Sequence, residues 1–130
     1  MDDRRAVGGG RSISALMALA AATLFAASAI HFGLTIPLPG GTLADPFAGA
    51  AAPEAVIGAV LAVGAVGTLV WWPAARPLAW GATLFAILGV VVGLNFTLPR
   101  GSTGDIAYHI LLLVLVLSIA LRLRRASTRG

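Results

Sequence analysis

Six polar side chains stand out in an otherwise apolar chain because their types can hold a proton, a metal ion or a haem iron: His31, Glu54, Asn95, Asp105, Tyr108 and His109. Asp105 and His109 are four residues apart and Tyr108 is three from Asp105, so on a helix the trio shares one face. A histidine beside a carboxylate can bind a divalent metal, ligate haem or carry a proton near neutral pH. His31 and His109 are therefore candidate ligands, with Glu54 and Asp105 to orient or charge-balance them. Ser28, one turn before His31, is a supporting polar candidate together with Asn95 and Tyr108.

Each of these residues also has a plainer use. Glu54 follows Pro53, where it would sit in a first helical turn at the positive end of the dipole. Asp105 follows Gly104 and would cap free N–H groups. Asn95 would bond a neighbouring helix, Tyr108 would anchor at a membrane surface, and the two histidines would be ordinary hydrogen-bonded side chains near an interface.

What positions these groups must be lipid-embedded helix. Of 130 residues 58% are hydrophobic and 11% charged, a balance that a water-soluble domain of this length could hold only with large exposed apolar patches. Four apolar stretches, 13–34, 53–72, 78–98 and 105–123, each approach the roughly 20 helical residues that cross a hydrocarbon core of about 30 Å. The sequence thus predicts an all-α membrane protein, an antiparallel bundle of four transmembrane helices forming one integral domain over 1–130. Tails 1–12 and 124–130 and a loop 35–52 lie outside the spans, and the first partner is the lipid bilayer.

All nine cationic residues are arginines. Arg4, Arg5, Arg11, Arg76, Arg122, Arg124, Arg125 and Arg129 fall on one side of the predicted topology and Arg100 alone on the other. Over short loops this bias predicts a multi-pass protein of the cell (plasma) membrane with both termini cytoplasmic. The net charge of +4 belongs with anionic headgroups, so a nucleic-acid partner is not expected. The polar layer then falls near the outer surface, with His31 a turn before the end of its span. Rich in Ala, Gly and Arg and free of Lys, the composition looks like that of a bacterial inner-membrane protein from a high-GC genome.

Local signals set the turns. Pro53 suits a helix start, and Pro73 and Pro77 close the second span and open the third. The segment 71–80 reads as a tight turn with Trp71, Trp72 and Trp80 at headgroup depth and Arg76 reaching the surface. Segment 99–104 is a second short turn, leaving 35–52 as the one connection long enough to cross the bundle mouth. At the N-terminus, Arg4-Arg5, an apolar run and small residues at 26–29 also resemble a cleaved secretory signal, though the run continues to a full spanning length.

Helices in a bilayer meet through close packing, so small residues mark contact faces. Gly89 and Gly93 form a GxxxG pair, Gly64 and Thr68 a second pair, and Ala18, Ala22 and Ala26 a small ridge. These serve packing within the bundle or a surface for a homo-oligomer or a membrane partner protein. Gly93 and Asn95 are about 200° apart around a helix, so the third helix is expected to touch protein on both sides.

Cysteine is absent, which removes disulfides and thiolate metal sites. No glycine-rich phosphate loop, HExxH or nucleophile–base motif is present. The reading is a small polytopic membrane protein without enzymatic activity, an accessory, assembly or interaction subunit with a His/carboxylate layer at its outer face. The alternatives are a haem- or metal-binding membrane protein using His31 and His109, and a small proton-coupled transporter. Carboxylates at span ends rather than at the midplane count against the last. The plan of four short-looped spans is similar to that of many small bacterial membrane proteins, the DoxX-like group included, and no motif here selects one of them.

Overall fold

The computed structural model describes residues 3–72, 74–100 and 103–128, with side chains from residue 8 onward. In chain order the elements are α1 (Asp3–His31), β1 (Ile36–Leu38), β2 (Gly41–Leu43), α2 (Ala48–Val70), α3 (Arg76–Thr97) and α4 (Thr103–Ser127), with a 3₁₀ turn at Leu98–Arg100 before α4. All four α-helices are long and apolar enough to cross a membrane, the apolar part of α1 being Gly8–His31. Helix is the form that lets an isolated apolar segment satisfy its own backbone where no water is available.

The helices form an antiparallel bundle in cyclic order: α1 packs on α2, α2 on α3, α3 on α4, and α4 closes back on α1. Ile13, Met17, Leu24, Leu61, Val90, Val116, Ile119 and Leu123 fill its centre. Leu19, Val63, Leu88, Val91, Leu111 and Val114 stay exposed and form its apolar exterior. An apolar exterior of this extent is expected only where the surroundings are themselves apolar.

Because lipid tails are as apolar as leucine, cohesion depends on close approach and on interhelical hydrogen bonds. Gly64 meets Met17 and Ala82, Gly58 meets Phe25 and the Ala21 carbonyl, Gly89 faces Ile57, and Gly93 faces His109. The Gly89/Gly93 pair is thus used inside the bundle, against α2 and α4. Thr68 donates to the Gly64 and Ala65 carbonyls of its own helix at 3.0 and 2.9 Å. Two buried serines join α1 to α2: Ser14 Oγ donates to the Ala65 carbonyl and Ser28 Oγ to the Ala51 carbonyl, both at 2.7 Å.

Several expectations need correction. Ala18, Ala22 and Ala26 are exposed; the contact face of α1 is Ile13, Met17, Ala20, Ala21, Leu24 and Ser28, since side chains large enough to interdigitate take the inward positions. Asn95 is exposed, so within this chain α3 touches protein on one side only. Helix α1 stops at His31, three residues short of the expected end. There Leu34 N–H donates to the Ala29 carbonyl and Gly33 N–H to the Ile30 carbonyl, both at 2.9 Å, with Gly33 at φ +103°. This is a Schellman closure, which needs a glycine at the left-handed position.

Helix α2 begins at Ala48, five residues before Pro53, so Pro53 lies inside the helix and Glu54 is not in its first turn. The loop 35–52 is correspondingly shorter and contains a hairpin. Pairing Ile36↔Leu43, Pro37↔Thr42 and Leu38↔Gly41 leaves Pro39-Gly40 as the turn, with Gly40 at φ +93°. At the arginine-rich end Trp72 is half-buried against Gly10 with Arg76 5.8 Å over its ring, Trp80 packs on the core, and Trp71 is exposed. Pro73, Gly101, Ser102, Arg129 and the side chains of Arg4 and Arg5 lie outside the described residues.

Candidate functional site

The first connection decides the site. When α1 closes at His31, its last carbonyl accepts the Phe47 N–H at 3.0 Å, which folds the chain back over the helix end and starts α2 beside it. Glu54, about two turns into α2, then comes level with the His31 ring. His31 Nδ1 donates to Glu54 Oε2 at 2.7 Å, and the two residues are 6% and 5% exposed. Beside it the Ser28–Ala51 bond joins the same two helices, Ser28 standing three residues before His31 on α1 and Ala51 three residues before Glu54 on α2. Glu54 is therefore neither solvated nor a dipole partner; it is half of a buried interhelical pair.

A second pair stands on α4. Asp105 is in its first turn, with His109 one turn on and buried. His109 Nδ1 lies 2.9 Å from the Asp105 carbonyl and 3.2 Å from Asp105 Oδ1, so one N–H is shared between backbone and carboxylate. The opposite edge of the ring rests on Gly93 of α3, where a Cβ would stand 2.5 Å from Nε2. Tyr108 sets its ring edge-on to His109 at 5.4 Å. Glu54 lies within electrostatic reach of His31, His109 and Asp105, and Tyr108 within reach of Glu54 and Asp105. Five of the six residues expected in one layer thus gather there. Asn95 faces away from it.

One polar atom in this layer, Glu54 Oε1, is buried without a hydrogen-bond partner among the described residues, while the buried Tyr108 hydroxyl lies beside Thr23 of α1. An unpartnered buried atom is uncommon in folded proteins and calls for a cause. The chain matches no family model, no curated protein and no solved structure. The site must be read from its own chemistry.

For a haem iron held by both histidines the geometry fits poorly, because His109 Nε2 is closed off by the α3 backbone at Gly93. For a divalent metal, no three His, Asp or Glu side chains among the described residues converge on one point. The four ionisable groups instead form two pairs.

Three further residues cover the site. Asp45 Oδ2 lies 3.7 Å from His31 Nε2, so His31 stands between two carboxylates. The Phe47 ring meets His31 edge-on at 6.2 Å, and the Arg100 guanidinium lies over the Phe47 ring, 3.7 Å from its centroid. Sequence reasoning overlooked all three. A signal existed: Asp45 and Phe47 are the one carboxylate and the one aromatic within 35–52, and Arg100 is the lone cation at that end.

Proposed function

We propose that this chain is a multi-pass plasma-membrane protein without enzymatic activity, an accessory or interaction subunit that associates with a second copy of itself or with another membrane protein. Its termini lie in the cytoplasm and its His/carboxylate layer at the outer face, as the arginine distribution implies. Asn95 carries this reading. Its amide is exposed on the outside of α3 among Val91, Val92 and Phe96, and forms no hydrogen bond among the described residues. In a bilayer such a group gains by meeting a polar group on a neighbouring helix, and an amide is complementary to its own copy. The ionisable side chains support the same reading from inside, since His31 pairs with Glu54 between α1 and α2 and His109 pairs with Asp105 along α4.

With no native cysteine, a single Asn95→Cys substitution reports the contact directly. In membranes, mild oxidation is expected to give a cross-linked species at twice the chain mass, or a discrete adduct with one membrane protein, while Leu19→Cys, exposed on α1 across the bundle, gives none. Monomer alone at both positions would remove the interaction role.

A second reading is favoured by Glu54 Oε1, buried near Tyr108 and without a partner among the described residues, which a small hydrogen-bonding guest would satisfy. Native mass spectrometry and metal analysis of protein purified in mild detergent test it. A bound species lost in Glu54→Gln and Tyr108→Phe, or in the double variant His31→Ala/His109→Ala that still inserts, would establish a ligand site. A Soret band lost with His31→Ala would establish haem despite the closed face of His109.

A further inference from the structure

The hairpin between α1 and α2 has two unlike faces. Cross-strand partners share a face and successive residues alternate, so Ile36, Leu38 and Leu43 lie on one side and Pro37 and Thr42 on the other. All three apolar side chains remain exposed, so this face is not packed on the bundle. Two strands of three residues do not stabilise themselves in water.

We propose that the hairpin lies with its apolar face in the interfacial zone of the adjacent lipid leaflet, beside the histidine end of the bundle. Three observations select lipid as the occupant. The whole stretch 32–44 carries no charged side chain, so nothing in it resists entry into the headgroup–acyl boundary. It leaves α1 directly at the end of a membrane span, which sets it at that depth. The two large apolar residues between the end of α1 and the hairpin, Phe32 and Leu34, are exposed as well. The polar edges of its backbone find water and headgroups there, which the hydrocarbon core would deny them.

The consequence reaches the site. Asp45 and Phe47 follow β2 by a few residues and stand over His31, so a hairpin seated in lipid holds that cover in place from its far side.

The experiment uses the full-length chain, reconstituted in phosphatidylcholine vesicles, with an environment-sensitive fluorophore on a single introduced cysteine. Leu38→Cys and Leu43→Cys report the apolar face and Thr42→Cys the other. Quenching is read with nitroxide lipids labelled near the headgroup and with aqueous iodide. The lipid quencher is expected to act on positions 38 and 43 and iodide on position 42. Adding phosphatidylglycerol should leave this pattern unchanged, because the segment is neutral. Iodide quenching at 38 and 43 equal to that at 42 would place the face in water and overturn the proposal. Shielding of 38 and 43 from both quenchers would overturn it in favour of a protein cover.

Discussion

The two histidine–carboxylate pairs use the same chemistry for different ends. His31 and Glu54 come from different helices, 23 residues apart in sequence, and their bond joins α1 to α2. Asp105 and His109 are one turn apart on α4, so their contact exists wherever that helix exists; it orients a ring and leaves the tertiary fit to the Gly93 surface. A polar pair inside a membrane can therefore act as a joint or as a brace, and sequence separation tells which.

The largest test of this contrast is Glu54→Ala. Removing one partner of a buried pair costs about 3–5 kcal/mol, so a loss of that order is expected for Glu54→Ala or His31→Ala in unfolding from mixed micelles. The double variant should lose much less than the two singles together. Additive losses would break the contrast, since they would mean that the two groups act apart.

Gly93→Val comes next. A side chain there enters the space of the His109 ring, and such overpacking costs about 1–3 kcal/mol. Gly81→Ala, at a position with open space, is expected to cause no steric loss in the same assay. Ser28→Ala removes one interhelical bond worth about 0.6 kcal/mol on average and at most about 1.7. Asp105→Asn should cost less than Glu54→Ala, because the amide keeps the shape of the side chain and the Asp105 backbone carbonyl still accepts His109 Nδ1–H. A loss from Asp105→Asn as large as that from Glu54→Ala would erase the distinction between the pairs.

The spans were legible because an apolar run of about 20 residues has few other uses, and the polar layer was legible because antiparallel helices bring their odd ends together. Other features depended on information that no single segment holds. Pro53 reads as a helix start, yet α2 begins five residues earlier because Phe47 bonds the end of α1. That shift moved Glu54 from a solvated first turn to a buried partner of His31. Likewise, Ala18, Ala22 and Ala26 and the inward-facing set that includes Ala20 and Ala21 offer equally good small-residue ridges in sequence. The phase of α1 is settled by Met17 and Leu24, which find room against α2. The hairpin did leave a trace, Pro39-Gly40 between apolar residues, but short alternating runs are easily lost in a chain this apolar.

The two serine bonds impose a constraint on sliding. Moving from Ser14 to Ser28 climbs fourteen residues along α1, and their acceptors, Ala65 and Ala51, descend by the same fourteen along α2. Like two pins through a ruler, they define one vertical setting of the helix pair. A displacement by a single turn, about 5.4 Å, would unseat both at once and carry the imidazole away from its carboxylate. The altitude of the ionic contact in the bilayer is thus fixed by two small hydroxyl groups, one beside it at Ser28 and one far along the same helix at Ser14.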